Sequence, residues 1–299
     1  MPKVVFFGTD QFSVPSLRAL IEKKIEVAAV VTKPDAASGR GKKLIKPPVA
    51  EMAEQNGIMV FQPEKLDEKF IGQLKQIGAD IGVLVSYGKI LPKEIIDIFP
   101  HGIVNVHPSL LPKYRGPSPI ESAILNGDTE TGVSLMKLDS GMDSGSVYLH
   151  ESVNLNNTET RPEAYRDLSE LGAKMLTENL DDIVSGRLNP KEQNDDDVSI
   201  SKLISKADGF LDKEKLNQPA ENIERMVRAY KEWPAVRLED NSQIIEAKIA
   251  SEKLQPGEIR TEGGRMLIGT ATNAIEVVRL KPAGRNEMSV EEYLRGAKN

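Results

Sequence analysis

KVVFFGTDQFSVPSLRALIEKKIEVAAVV, Lys3 to Val31, decides the fold. KVVFF is apolar at consecutive positions, the pattern of a strand buried on both faces. VPSLRALIEKK repeats its apolar residues at helical spacing, and EVAAVV is a second apolar run. Two strands joined through a helix are free to lie parallel, because the helix supplies the crossover that a tight turn cannot. The same alternation continues outward. PVAEMAEQNG (48–57) reads as a helix ending in Gly, EKFIGQLKQIG (68–78) as another, and DIGVLVS (80–86) as a strand. PKEIIDIF (92–99) is expected to be a helix with Pro92 in its first turn, and GIVNV (102–106) a strand. The first half is therefore an α/β unit with a mostly parallel sheet covered on both faces. In such sheets ligands bind beyond the carboxyl ends of the strands.

The text changes after ETRPEAYRDLSELGAKMLTENLDDIVSG (159–186), a helix opened by Thr160 and Glu163 as a capping box. RLNPKEQNDDDVSISK (187–202) is polar and without period, which reads as a linker. Beyond it come short β-like runs: AVRLED (235–240), QIIEAKIA (243–250), RMLIGTA (265–271) and AIEVVRLKPAG (274–284). They point to a small β-barrel or meander. AENIERMVRAYKEWP (220–234) forms a helix before it, and SVEEYLRG (289–296), with Ser289 and Glu292 as a capping box, closes the chain. The expected division is a large domain over 1–189, a linker over 190–207 and a β domain over 208–299.

Composition narrows the chemistry. In 299 residues there is no cysteine, so disulfides, thiolate metal sites and a Cys nucleophile are excluded, and no metal is expected. A cysteine-free chain suits a reducing cytosol, and a cytoplasmic location is expected. No signal peptide and no membrane span are read from the sequence. The net charge of −6 argues against indiscriminate nucleic-acid binding. From Lys206 onward 16 Lys/Arg face 16 Asp/Glu, so the β domain is neutral and any nucleic-acid contact there needs a local arrangement of cations. GxGxxG, the P-loop, HExxH and GxSxG are all missing.

Three stretches carry candidate chemistry. NVHPSLLPKYRGPSPI (105–120) follows an expected strand and holds four prolines, which fix φ and stiffen the rim. Asn105 and His107 are two apart on an extended chain, so their side chains point the same way. An amide beside an imidazole suits acyl-type chemistry, one stabilising an oxyanion while the other moves a proton. Turn and capping roles are the plainer alternative. LDSGMDSG (138–145) carries Asp139 and Asp143 between glycines, either as a solvated turn or as a carboxylate returned towards His107 to orient it. His101 reads as a turn residue and His150 as a surface residue at a strand end. KPDAASGRGKKLIKPP (33–48) sets Lys33, Arg40, Lys42, Lys43 and Lys46 against Asp35, which gives either a solvated loop or an anion-binding one.

Together these motifs resemble the folate-dependent formyltransferases, in particular the branch that acts on methionyl-tRNA. The resemblance rests on Asn105-x-His107, on Ser109-Leu110-Leu111-Pro112 and on Asp143 in a Gly-rich turn. FFGTDQFSVPSL, GRGKKL, VSYGKILP, SLLPKYRGPSPI, GDTETGVSLMKLDSGMDSG and a late KPAG extend it over nearly the whole chain. It implies a Rossmann-like catalytic domain followed by an OB-like β-barrel that binds tRNA. The implied reaction moves a formyl group from 10-formyltetrahydrofolate to the α-amino group of methionine on initiator tRNA. Asn105, His107 and Asp143 would be catalytic. Ser109, Leu110, Leu111, Pro112, Tyr87 and Gly88 would shape the folate pocket, and Arg40, Lys42 and Lys43 would meet the tRNA. A monomer is expected. Formyl transfer to a small amine, and tRNA binding without catalysis, are the alternatives.

Overall fold

The computed structural model describes residues 1–38 and 43–296. Its elements run β1 (Lys3–Gly8), α1 (Ser13–Glu22), β2 (Glu26–Val31), β3 (Ala36–Ser38), β4 (Lys43–Ile45), α2 (Pro48–Gln55), β5 (Met59–Phe61), α3 (Glu68–Ile77), β6 (Ile81–Val85), α4 (Lys93–Ile96) and β7 (Ile103–His107). They continue with α5 (Pro119–Asn126), β8 (Glu130–Lys137), β9 (Val147–Asn154), α6 (Arg161–Val184), α7 (Lys213–Leu216), α8 (Ala220–Ala229), β10 (Val236–Arg237), β11 (Gln243–Ile249), β12 (Ile259–Glu262), β13 (Arg265–Ile268), β14 (Ile275–Lys281), β15 (Met288–Ser289) and α9 (Val290–Gly296).

The chain forms two compact units, each assembled from three stretches. The first comprises Met1–Gly116, Thr131–Val153 and Tyr165–Ile200, and the second Pro117–Glu130, Asn154–Ala164 and Ser201–Asn299. This division differs from the linear one expected over 1–189, 190–207 and 208–299. The difference has a physical reason. Residues 191–200 of the expected linker are hydrogen-bonded into the first unit: Lys191 exchanges two backbone bonds with Val147, each 2.8 Å, and Arg115 N donates to Ser199 O at 2.9 Å.

The first unit holds a seven-stranded sheet in the order β5-β2-β1-β6-β7-β8-β9. β5, β2, β1, β6 and β7 are parallel neighbours, and β8 runs antiparallel to β7. Strand order reverses between β1 and β6, the switch point at which open α/β sheets form their binding crevice. Both faces of β1 are buried, as its unbroken apolar run requires. On one face Val5 and Phe7 pack with Val31, Phe70, Ile95 and Ile103 in a single core. Across the other, α6 lies so close to β7 that a β-carbon on Gly172 would stand 2.5 Å from Val106 Cγ1. That contact is why a helix otherwise rich in good formers tolerates a glycine. The PKEIIDIF helix is a single turn, α4, with Pro92 at its N-cap rather than inside it.

The second unit carries an antiparallel sheet in the order β10-β11-β14-β13-β12, with β15 paired to β14. α5 ends at Gly127 (φ 67°), where the Arg225 guanidinium of α8 occupies the space a side chain would need. Arg225 Nη1 donates to Asn126 O at 3.3 Å, setting a cation at the carbonyl end of α5. Ser289 and Glu292 form the expected capping box of α9, with bonds of 2.8 and 3.2 Å. Among the described residues no helix is long and apolar enough to cross a membrane, and no three His, Asp or Glu side chains are grouped to hold a metal ion.

Candidate active site

β7 leaves the sheet at His107. Its register sets Asn105 opposite Met136 and His107 opposite Ser134 on β8, so both side chains are fixed by a strand paired on either side. Each residue is only 5% exposed. Period-two alternation puts them on one face, and Asp143 comes to meet both. Asn105 Nδ2 donates to Asp143 Oδ1 at 3.4 Å, a long bond, and His107 Nδ1 stands 3.7 Å from Asp143 Oδ2. The other ring nitrogen, His107 Nε2, lies 3.1 Å from Tyr114 O. A carbonyl oxygen only accepts, so Nε2 carries a proton, and Nδ1 is the ring nitrogen that faces Asp143. A proton taken up at Nδ1 therefore meets a carboxylate. Asn105 Nδ2 keeps a second hydrogen for another acceptor. An amide with a hydrogen to spare and an imidazole thus stand side by side, with one carboxylate behind both.

Two residues at this site hold left-handed backbone without being glycine: Tyr114 (φ 57°) and Asp143 (φ 51°). Each costs about 1–2 kcal/mol and persists only where neighbours fix it. Both are fixed by residues 191–200. Tyr114 N donates to Ser199 Oγ at 2.9 Å, and Ser199 N reaches Pro112 O at 3.3 Å. Gln193 Nε2 donates to Asp143 O at 2.8 Å and to Gly145 O at 2.7 Å. Gly116 N completes the support with a 2.8 Å bond to Asp143 Oδ2. The buried Arg115 between these groups donates from Nε to Gln193 Oε1 at 3.0 Å and from Nη2 to Asp195 Oδ1 at 3.2 Å. Sequence reading missed Gln193 and Ser199, since nothing in a polar, aperiodic run marks residues that act through distant backbone.

Asp139, the other acid of the turn, has a different task. It accepts from Gly141 N at 2.9 Å and from Ser144 Oγ at 3.0 Å, closing the turn on itself. A side chain at Gly145 would force the backbone to shift, because its β-carbon would lie 1.9 Å from Lys137 O. His101 sits exposed in a turn, as read. His150 is inside β9, and its Nδ1 is 3.1 Å from Ser134 Oγ. Ser134 has one hydrogen, donated to Ser109 O at 2.6 Å, and it accepts from Leu111 N at 3.0 Å. His150 must then be the donor at Nδ1. The residue is exposed, as read, yet partial desolvation of its ring pushes its pKa below the usual imidazole value.

The residues expected to shape the folate pocket divide. Ser109 is fully buried and donates to Lys113 O at 2.6 Å, while Leu111 packs with Met136 and Val147. Tyr87 is 0% exposed, edge-on to Phe7 at 5.8 Å, and among the described residues its hydroxyl has no hydrogen-bond partner. Burial pushes that phenol up to about 12. These three side chains are therefore interior. Leu110 and Pro112 are half-buried, and Gly88 is exposed at the rim. Gly88 (φ 67°) also stands where Lys33 Nζ approaches, 2.4 Å from where a β-carbon would be. The loops after β1 and β6 are laced together by Thr9 Oγ1 to Tyr87 O at 2.9 Å, Ser86 Oγ to Asp10 Oδ2 at 2.7 Å and Ser13 Oγ to Val85 O at 2.7 Å. Of the residues expected to meet tRNA, Arg40 and Lys42 lie outside the described residues, and Lys43 begins β4.

Comparison with known proteins identifies the family. Residues 2–180 match the family described as formyl transferase, and residues 203–298 match the formyl transferase C-terminal domain. A methionyl-tRNA formyltransferase of Thermodesulfovibrio yellowstonii is 36% identical over 99% of this chain and 96% of its own. One from Halorhodospira halophila is 37% identical over 98% of this chain and 96% of its own. Among solved structures, WlaRD, a sugar 3N-formyl transferase crystallised with dTDP and 5-N-formyl-THF, superposes with a TM-score of 0.70 at 20% identity, covering 96% of this chain and 99% of that one. With both domains matched and relatives aligned end to end, the chain belongs to the formyl transferase family.

Proposed function

We propose that the chain transfers the formyl group of 10-formyltetrahydrofolate to the α-amino group of methionyl initiator tRNA, acting as a cytoplasmic monomer in translation initiation. One observation carries this reading. Asn105, His107 and Asp143 meet at the carboxyl end of β7, in a chain alignable over its whole length with methionyl-tRNA formyltransferases. The amine nitrogen attacks the formyl carbon and a tetrahedral oxyanion forms. Asn105 Nδ2–H donates to that oxygen. His107 takes the proton released by the attacking nitrogen at Nδ1, where Asp143 balances the charge, and returns it to the folate nitrogen as the carbon–nitrogen bond to folate breaks. Atoms and charge balance without a covalent enzyme intermediate, in keeping with a chain that has no cysteine.

Leu110, Pro112 and Gly88 remain open to a folate, whereas Ser109, Leu111 and Tyr87 would act by holding the pocket wall. The second unit and the cations Arg40, Lys42 and Lys43 would engage the tRNA. Arg40 suits phosphate, because its planar fork grips two oxygens. The decisive assay follows labelled formyl from the folate donor to charged initiator tRNA, to glycinamide ribonucleotide and to an amino sugar. Transfer to the tRNA alone is expected. Preferential transfer to either small amine would overturn the assignment.

A further inference from the structure

We propose that Gln193 is a positioning residue for the His107–Asp143 pair, held in a stretch of chain outside both family-matched segments. The proposal rests on the formyl transfer read above. A primary amide offers two hydrogens and one carbonyl oxygen, and in Gln193 all three are in use. The hydrogens go to Asp143 O and Gly145 O, and the oxygen accepts from Arg115 Nε. No other natural side chain of this length bonds two carbonyls and a guanidinium from one planar group.

Its partners are the anchors of the catalytic groups. Arg115 lies between Tyr114, whose carbonyl fixes His107 Nε2, and Gly116, whose N–H fixes Asp143 Oδ2. Gln193 therefore closes a ring that runs from His107 through Tyr114 and Arg115 to Gln193, on to Asp143, and back to His107 across 3.7 Å. Asp143 holds a left-handed backbone, and a β-carbon on its neighbour Gly145 would force the backbone to shift, so the turn has no relaxed geometry of its own to fall back on. Released from Gln193, it moves the carboxylate relative to His107.

A turn that merely needs closing would lose stability without change at His107. The test uses the full chain with Gln193→Glu and Gln193→Ala. The glutamate keeps the shape and the acceptor for Arg115 but sets a carboxylate oxygen against two carbonyls. Expected is a fall in kcat of roughly ten- to a hundredfold, since a misplaced catalytic group costs rate at this scale. KM for the folate donor and for charged initiator tRNA should stay within about twofold. The imidazole nitrogen resonances of His107 should move while those of His101 stay. With three histidines in the chain, assignment is direct. Should the glutamate variant fail to fold, the alanine variant carries both readouts. A folded variant with wild-type kcat and unmoved His107 resonances overturns the proposal, as does a loss of activity explained wholly by unfolded protein. Failure of the wild type to formylate initiator tRNA would sink the functional reading alone, because the His107 resonances still report whether Gln193 sets the pair.

Discussion

Residues 33–46 and 191–200 look alike as text: polar, charged, rich in turn formers and without period. In the folded unit they differ in where their backbone bonds go. Among the described residues β3 and β4 pair only with each other, as a separate two-stranded sheet, and side chains beside it are tied, Lys46 to Glu54 at 2.6 Å and Gln62 to Asp35 at 2.7 Å. The second stretch has no regular strand, yet it bonds to Val147, Pro112, Arg115, Asp143 and Gly145. A segment bonded to itself opens without disturbing the sheet. One bonded to the walls of a site fixes that site.

The contrast fails at its centre if the clamped rim is not chemical. Asn105→Ala, His107→Ala and Asp143→Ala should each lower kcat by about a hundredfold or more, with unchanged circular dichroism. Near-normal kcat in purified His107→Ala would remove the assignment. Next in size is Gly145→Ala, which drives a β-carbon into Lys137 O and should cost roughly 1–3 kcal/mol of stability in a denaturant titration. Leu44→Ser in β4, where Leu44 is 66% exposed, should leave the midpoint in place. Equal shifts in both would erase the distinction. Arg40→Ala should weaken use of tRNA by roughly 1–3 kcal/mol in kcat/KM, in part salt-dependent, with folate KM unchanged. Trypsin sharpens this. Cleavage of the free protein should come first between Ala36 and Lys46 and be slowed by initiator tRNA, while Lys191 resists; early cutting at Lys191 would contradict the bonding pattern. Smallest of all, Lys46→Ala removes an ion pair beside β4, and no measurable change in Tm is expected.

Legibility in the sequence followed the distance over which a residue acts. β1, α1, β2 and β6 were readable because the apolar period that names each element also buries it. β5 was not, being three residues long with Met59 exposed. β9 alternates half-buried and exposed positions over most of its length, and His150, read as lying at a strand end, sits within it. At the site, Asn105 and His107 could be paired from local spacing, and Asp143 from its turn and from family resemblance. Gln193 works fifty residues from Asp143, through a backbone carbonyl that any residue would supply. The SLLP segment follows the carboxyl end of β7, but burial separates Ser109 and Leu111 from Leu110 and Pro112, and only packing reveals which neighbour turns inward.

The interleaving of the two units bears on any attempt to dissect the protein. An obvious place to shorten the chain is the end of α6, near Gly186, where the helix stops and polar text begins. Such a fragment would keep every residue of the Asn105, His107 and Asp143 constellation and lose Gln193 and Ser199, which hold it. Inactivity in that fragment would then report a collapsed turn rather than a missing tRNA contact. Extending the fragment to Ile200 restores the clamp. The stretches 117–130 and 154–164 would still be carried along, as pieces of the other unit that no terminal truncation can remove.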